Sequence, residues 1–195
     1  CASKSIKGKN VVLILGDNIF YGAGLPQKMS VAMDYPKGAT IFGYEVADPS
    51  SFGVVEFDKN RNPIQLLEKP KSPSSNMAVP GLYFYDDKLL SIVKDLRPSE
   101  RGELEITDVN KEYLKKRELR VIPLGRGIAW LDGGTPEDMF DASQFIKVIE
   151  ERTGLKVACP EEIAFRKGFI DKEQLIDLAI KIKNPSYSCY LQGLA

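Results

Sequence analysis

The sequence predicts an α/β fold, and three observations carry that expectation. Short apolar runs, partly β-branched, alternate with segments of helical periodicity. Two of the runs, Ile14-Leu15-Gly16-Asp17-Asn18 and Ala129-Trp130-Leu131-Asp132-Gly133-Gly134-Thr135, stop at a lone aspartate followed by turn residues, as a sheet does when it presents a carboxylate at the end of a strand. A helix-start signature, Thr135-Pro136-Glu137-Asp138, follows the second aspartate directly: a capping hydroxyl, proline at the first helical position and acids facing the positive end of the dipole.

Taken in order, Val11 to Leu15 is apolar throughout, the pattern of a strand covered on both faces in a parallel sheet. Leu25 to Met33 reads as a helix and Ala39 to Val46 as the next strand after the Pro36-Lys37-Gly38 break, giving a β-α-β unit. Gly53 to Asp58 and Ile64 to Lys69 form two strands around Asp58-Lys59-Asn60-Arg61-Asn62-Pro63, which has hairpin composition. A Pro- and Ser-rich loop from Pro70 to Asn76 leads to a strand from Ala78 to Tyr85. Apolar stripes predict helices over Asp86 to Leu96 and Glu105 to Arg117. Leu119 to Leu124 and Ile128 to Leu131 are the last strands, and the helix begun at Thr135 extends to about Arg152. The carboxyl-terminal part from residue 153 is helical, with Asp171-Lys172-Glu173-Gln174 opening a helix in the manner of a capping box.

The 195 residues suit one large domain. Lys plus Arg equals Asp plus Glu at 27 each, so net charge points to neither nucleic acid nor an acidic membrane surface. No apolar stretch approaches the ~20 residues of a spanning helix. Three widely spaced cysteines, Cys1, Cys159 and Cys189, suit small buried hydrophobes in a reducing cytoplasm. The absence of histidine excludes a Ser-His-Asp or Cys-His nucleophile and imidazole-ligated zinc, leaving carboxylates, lysine, arginine and backbone for chemistry. The chain begins at Cys1 rather than Met, which raises the expectation that it is a piece of a longer protein.

A hard cation such as magnesium takes oxygen ligands, one or two carboxylates plus phosphates and water, and Asp17 with Asp132 meet that need where their strands are neighbours. Each alone also reads as a turn residue bonding its own backbone. Glu68-Lys69-Pro70 closes a strand where proline stops the ladder, which leaves a lysine able to hold a phosphate and a glutamate able to accept from sugar hydroxyls; a solvated surface pair is the plainer reading. Gly53 opens a strand where a side chain would intrude on a ligand. Tyr21, Tyr83, Tyr85 and Trp130 suit stacking on a sugar or packing in the core. Asp86-Asp87 shows a likeness to the metal-binding Asp-x-Asp of glycosyltransferases, but its place at a helix start favours capping.

Seven segments in register, Leu15 to Gly22, Phe52 to Asp58, Glu68 to Pro70, Gly81 to Asp86, Arg101 to Asp108, Trp130 to Thr135 and Cys159 to Ile170, closely resemble the glucose-1-phosphate thymidylyltransferase family, with the likeness running from about Val11 to Leu191. The resemblance implies a three-layer, Rossmann-like nucleotide-diphospho-sugar transferase fold with a mixed sheet. It implies magnesium-dependent transfer of dTMP from dTTP to α-D-glucose 1-phosphate, giving dTDP-glucose and pyrophosphate for carbohydrate biosynthesis of the dTDP-rhamnose kind, in a cytoplasmic homotetramer with no nucleic-acid or membrane partner. By position it makes Asp17 and Asp132 metal ligands and Lys69 the lysine at the sugar phosphate, these three being catalytic. Gly53, Glu68, Lys69, Val79, Tyr83 and Trp130 become substrate-binding residues. Tyr21, Gly22, Glu162, Ile163 and Arg166 become a regulatory nucleotide site.

The family opens on a β-α unit with a Gly-x-Gly-Thr-Arg loop that cradles phosphates, and that loop is not among these residues. The expectation is therefore the carboxyl-terminal two thirds of one domain, lacking the amino-terminal β-α units, with residues 1–10 a non-matching stub, and inactive alone. The competing expectation is a non-catalytic sugar-phosphate-binding or assembly partner.

Overall fold

The protein is described from a computed structural model that covers residues 3–35, 37–99 and 102–195. Cys1, Pro36 of the predicted break and Arg101 of the fifth family segment lie outside the described residues. The chain divides into two compact units, residues 1–142 and 143–195.

In the first unit the elements are, in order, α1 (Ser3–Ile6), β1 (Val11–Ile14), β2 (Asn18–Gly22), α2 (Leu25–Met33), β3 (Ala39–Glu45), β4 (Gly53–Phe57), β5 (Pro63–Glu68), β6 (Met77–Ala78), β7 (Leu82–Tyr85), α3 (Leu89–Asp95), α4 (Ile106–Lys115), β8 (Leu119–Pro123) and β9 (Ile128–Asp132). The main sheet runs β1-β7-β3-β6-β4-β5, with β8 added alongside β3. It is mixed: β3 pairs with β8 in parallel, from Ala39 opposite Leu119 to Gly43 opposite Pro123, while β1 and β7 are antiparallel. β2 and β9 form a separate antiparallel ribbon.

The two-residue period of the strands sorts their side chains onto two cores. Ala39 and Ile41 of β3 and Tyr83 and Tyr85 of β7 face Leu89 and Ile92 of α3 and Val109 and Tyr113 of α4. The alternate residues Phe42, Leu82 and Phe84 face Ala32 of α2 and Ile128 of β9. Helices on both faces of a mixed sheet make the three layers that the family resemblance implies.

Three local expectations are corrected. β1 is not covered on both faces: Val11 and Leu13 pack on the core, whereas Val12 and Ile14 are 51% and 56% exposed. β1 ends the described sheet and pairs only with β7, so an all-apolar run meets apolar partners on one side alone. The single strand expected over Ala78 to Tyr85 is broken into β6 and β7, because Pro80 lacks the N–H a ladder requires. The helix expected from Asp86 begins at Leu89 instead, with Asp86 buried ahead of it.

In the second unit, α6 (Pro160–Arg166), α7 (Lys172–Lys181) and α8 (Pro185–Leu194) enclose Cys159, Leu175, Ala179 and Leu191, all buried. The unit boundary falls inside α5 (Pro136–Thr153). Cys159 is a buried thiol as expected, but Cys189 is exposed. The Asp171 carboxylate accepts from the Gln174 N–H at 2.8 Å and the Gln174 side chain accepts from the Asp171 N–H at 2.9 Å, the reciprocal box the sequence predicts. Asp171→Ala is expected to cost about 1 kcal/mol, read as a lower thermal midpoint for helix loss.

Candidate active site

The site begins where β1 gives way to β2. The Leu15 N–H donates to the Gly81 carbonyl at 2.9 Å and the Gly133 N–H to the Asp17 carbonyl at 2.8 Å, so the turn carrying Asp17 is tied both to the start of β7 and to the loop after β9. In the β2–β9 ribbon Asn18 stands opposite Asp132 and Phe20 opposite Trp130, which puts the side chains of Asn18, Trp130 and Asp132 on one face. Asp17 and Asp132 both line a cavity of about 170 Å³.

The opposite wall comes from the β4–β5 hairpin, where Gly53 pairs with Glu68. A Cβ on Gly53 would come within 3.1 Å of the Thr107 hydroxyl and 3.4 Å of a Glu68 carboxylate oxygen, so the absence of a side chain is what keeps this part of the cavity open. Thr107, at the start of α4 and only 4% exposed, donates its hydroxyl to Glu68 Oε2 at 2.6 Å and fixes that carboxylate. Val79 and Tyr83 close the floor, and Trp130, with Phe52 4.9 Å away between ring centroids, forms an aromatic wall. Burial, then the charges of Glu68 and Asp17, push the Tyr83 phenol well above its ordinary pKa, so it stays a neutral hydrogen-bonding group.

Burial raises the pKa of Asp132, and the carboxylates of Asp138 and Asp17 add to the rise against an opposing hydrogen bond from its own backbone. Negative charge is thus concentrated where the strand ends. No group of three or more His, Cys, Asp or Glu side chains is placed to hold a metal ion by itself among the described residues. Two carboxylates with no nitrogen or sulfur donor suit a cation that completes its shell with phosphate oxygens and water, as magnesium does.

Seven residues singled out from sequence, Asp17, Gly53, Glu68, Val79, Tyr83, Trp130 and Asp132, therefore meet at one cavity. Lys69 stands apart from that lining: it follows Glu68 with φ of 44°, donates its N–H to the Phe52 carbonyl at 3.0 Å, and exposes its side chain. Tyr21 and Gly22 close β2 in the first unit. Glu162, Ile163 and Arg166 lie on α6 in the second, where the Glu162 carboxylate accepts from Arg166 Nε at 2.7 Å and from the Tyr190 hydroxyl. Asp86 is no open ligand; it is 4% exposed and occupied by three donors.

Sequence reasoning missed Asn18 and Thr107. Both sit within the family-like segments, but their partners, Gly81 and Trp130 for Asn18 and Glu68 for Thr107, lie far away along the chain. Adjacency to Asp17 was the one local signal for Asn18.

The chain is 51% identical over 190 residues to a glucose-1-phosphate thymidylyltransferase of Xanthomonas campestris pv. campestris strain B100, an alignment covering 97% of this chain and 64% of that protein. A glucose-1-phosphate thymidylyltransferase of Mycolicibacterium smegmatis is 50% identical over 97% of this chain and 65% of its own length. The chain thus spans about 64% of the length of the first of these relatives. Among solved structures, a candidate glucose-1-phosphate thymidylyltransferase of Bacillus anthracis, in complex with a sucrose, superposes with a TM-score of 0.64 at 39% identity, covering 74% of this chain and 57% of that one. A UDP-glucose pyrophosphorylase complexed with UDP-glucose, 23% identical, shares the fold at a TM-score of 0.65 over 74% of this chain and 58% of that one. The family model for nucleotidyl transferases matches residues 1–148, and the chain belongs to that nucleotidyl transferase family.

Proposed function

We propose that the protein containing this chain transfers dTMP from dTTP to α-D-glucose 1-phosphate with magnesium, in the cytoplasm and as a homo-oligomer, and that this chain supplies the sugar-phosphate pocket and the metal carboxylates. One observation carries the reading: the seven residues that the family likeness assigns to metal and sugar, spread from position 17 to 132, line a single cavity. The relatives at 51% and 50% identity carry the name of that activity. No helix among the described residues is long and apolar enough to cross a membrane.

In this reading Asp17 and Asp132 would hold magnesium, which when bound would supply positive charge against the phosphates. Glu68, fixed by Thr107, accepts from sugar hydroxyls. Gly53 admits the ring, and Tyr83 and Trp130 shield it from water. Lys69 reaches the sugar phosphate as a mobile point charge from the rim, orienting its oxygen for in-line attack on the α-phosphorus. None of the 195 residues forms the Gly-x-Gly-Thr-Arg loop that would cradle the nucleotide phosphates, so the isolated chain does not turn over.

The test is pyrophosphate release with dTTP, glucose 1-phosphate and magnesium. It is run on this chain alone and on the chain joined to the amino-terminal segment of the Xanthomonas campestris relative that lies outside the alignment. The joined protein is expected to release pyrophosphate only when all three components are present, and the chain alone to release none. Sugar-phosphate binding without transfer by the joined protein would replace this reading with that of a non-catalytic partner. Turnover by the chain alone would overturn its inactivity.

A further inference from the structure

Asn18 is half-buried at the first position of β2, between the two carboxylates and the aromatic wall. Its side chain makes three contacts at once. The amide oxygen accepts from the Gly81 N–H at 2.9 Å and from Trp130 Nε1 at 2.7 Å, and the amide nitrogen donates to Asp17 Oδ1 at 2.8 Å. The orientation of the amide is forced: both N–H groups can only donate, so the oxygen must face them and the NH₂ must face the carboxylate. Gly81 is part of the same arrangement, because a Cβ there would come within 2.9 Å of Asn18 Cγ and 2.7 Å of Leu15.

We propose that Asn18 is a positioning residue that sets the Asp17 carboxylate for a divalent cation and couples it, through one planar amide, to the indole of Trp130. The inference rests on the functional reading above and deepens it by naming what orients the metal carboxylate. Asp17 is exposed and makes a short side chain free to rotate; a donor on Oδ1 removes that freedom and leaves the remaining lone pairs for a cation. Because the same amide oxygen holds the indole, a cation that draws Asp17 toward itself tugs on the Trp130 hydrogen bond.

Trp130 is the single tryptophan of the chain, so one indole N–H cross-peak in a ¹H–¹⁵N spectrum reports this contact without interference. In the 195-residue chain that peak is expected downfield and slow to exchange, and to move on titration with magnesium chloride. Asn18→Ala should shift it upfield, speed its exchange and weaken magnesium binding, followed by backbone shifts of residues 17 and 132, by about tenfold. Asn18→Asp keeps an acceptor for both N–H groups and should return the indole peak to its original region, which shows that loss in the alanine variant is not loss of fold. Equal magnesium affinity in Asn18→Ala and the original chain would overturn the inference and leave the metal reading intact. No magnesium response in the original chain would overturn the metal reading, and with it the inference. An indole peak unmoved by Asn18→Ala would overturn the coupling outright.

Discussion

Asp86→Ala is expected to destabilise the first unit by about 3 kcal/mol, with Asp87→Ala next to it nearly silent. Asp86 is 4% exposed and its carboxylate is the common acceptor for three donors: the Gly38 N–H at 2.8 Å, the Tyr113 hydroxyl at 2.8 Å and the Lys88 N–H at 3.1 Å. Removing it leaves a fully buried phenol and a buried backbone N–H without partners, and such orphaned groups cost about 1–3 kcal/mol each. The main-chain bond from the residue 86 N–H to the Gly38 carbonyl, 2.9 Å, survives in the alanine variant, so the loss is that of the carboxylate's own bonds. At about 3 °C per kcal/mol for a domain of this size, the thermal midpoint should fall by roughly 10 °C. Tyr113→Phe deletes only one of the three bonds and should cost about 1 kcal/mol. Asp87 is exposed, so its replacement should stay within about 0.5 kcal/mol. Comparable small effects from Asp86→Ala and Asp87→Ala, with loss of metal binding, would instead fit a paired metal site. The asymmetry separates a structural aspartate from the glycosyltransferase-like reading that the dipeptide invites.

The fold was legible wherever one element's own pattern decides it. The α2 stripe from Leu25 to Met33, the hairpin around Asp58 and the capping box at Asp171 each depend on neighbours within a few residues. In the hairpin, Asp58 accepts from the N–H groups of Asn60 and Asn62, both at 2.8 Å, a turn built from its own side chain. Where partners come from afar the pattern misled or was silent. The pattern of Asn18 to Gly22 by itself assigns no element, yet the segment is a strand because β9 pairs with it from more than a hundred residues away. Val11 to Ile14 carries apolar side chains on both faces, and nothing within the run says which face finds a core. Asp86 satisfies a local rule for helix starts, but burial against Tyr113 and Gly38 outweighs it.

The site divides the same way. Asp17, Asp132 and Glu68 were legible because each ends an apolar strand, the position from which an α/β sheet offers chemistry. Thr107 and Asn18 were not, because their contribution is to hold another residue's carboxylate, and a hydroxyl or amide in sequence does not declare its acceptor. Lys69 shows the limit from the other side: its position after Glu68 is as expected, but its backbone takes the left-handed conformation and its amine stands in solvent, where it is free to reach a phosphate rather than fixed on one.

Asp132→Asn is expected to change stability and activity in opposite directions. In the folded chain the Asp132 carboxyl is raised above its ordinary pKa, first by burial and then by the charges of Asp138 and Asp17, so the folded state holds the proton more tightly than the unfolded state does. Stability from this group is full below the unfolded carboxylate pKa and is lost as pH rises through the folded one. At neutral pH without a cation, ionised Asp132 is therefore a cost. Much of the carboxylate still faces water, and screening limits that cost to about 0.5 kcal/mol. The neutral amide removes it: the thermal midpoint should rise by about 1–2 °C at pH 7 and not at all near pH 3, where both forms are uncharged. Magnesium should reverse the order, stabilising the original chain by mass action while leaving Asp132→Asn unmoved. In the chain joined to the relative's amino-terminal segment, the same substitution should reduce magnesium-dependent pyrophosphate release by about a hundredfold or more, since in the proposed reading it removes one of the two carboxylates for the cation. A variant less stable than the original at pH 7 without magnesium would mean that Asp132 is held by a favourable partner, and its place as a cation ligand would fall. In the proposed reading, a site that is more stable with one carboxylate neutralised, and inactive for the same reason, is one whose buried negative charge a bound cation would offset.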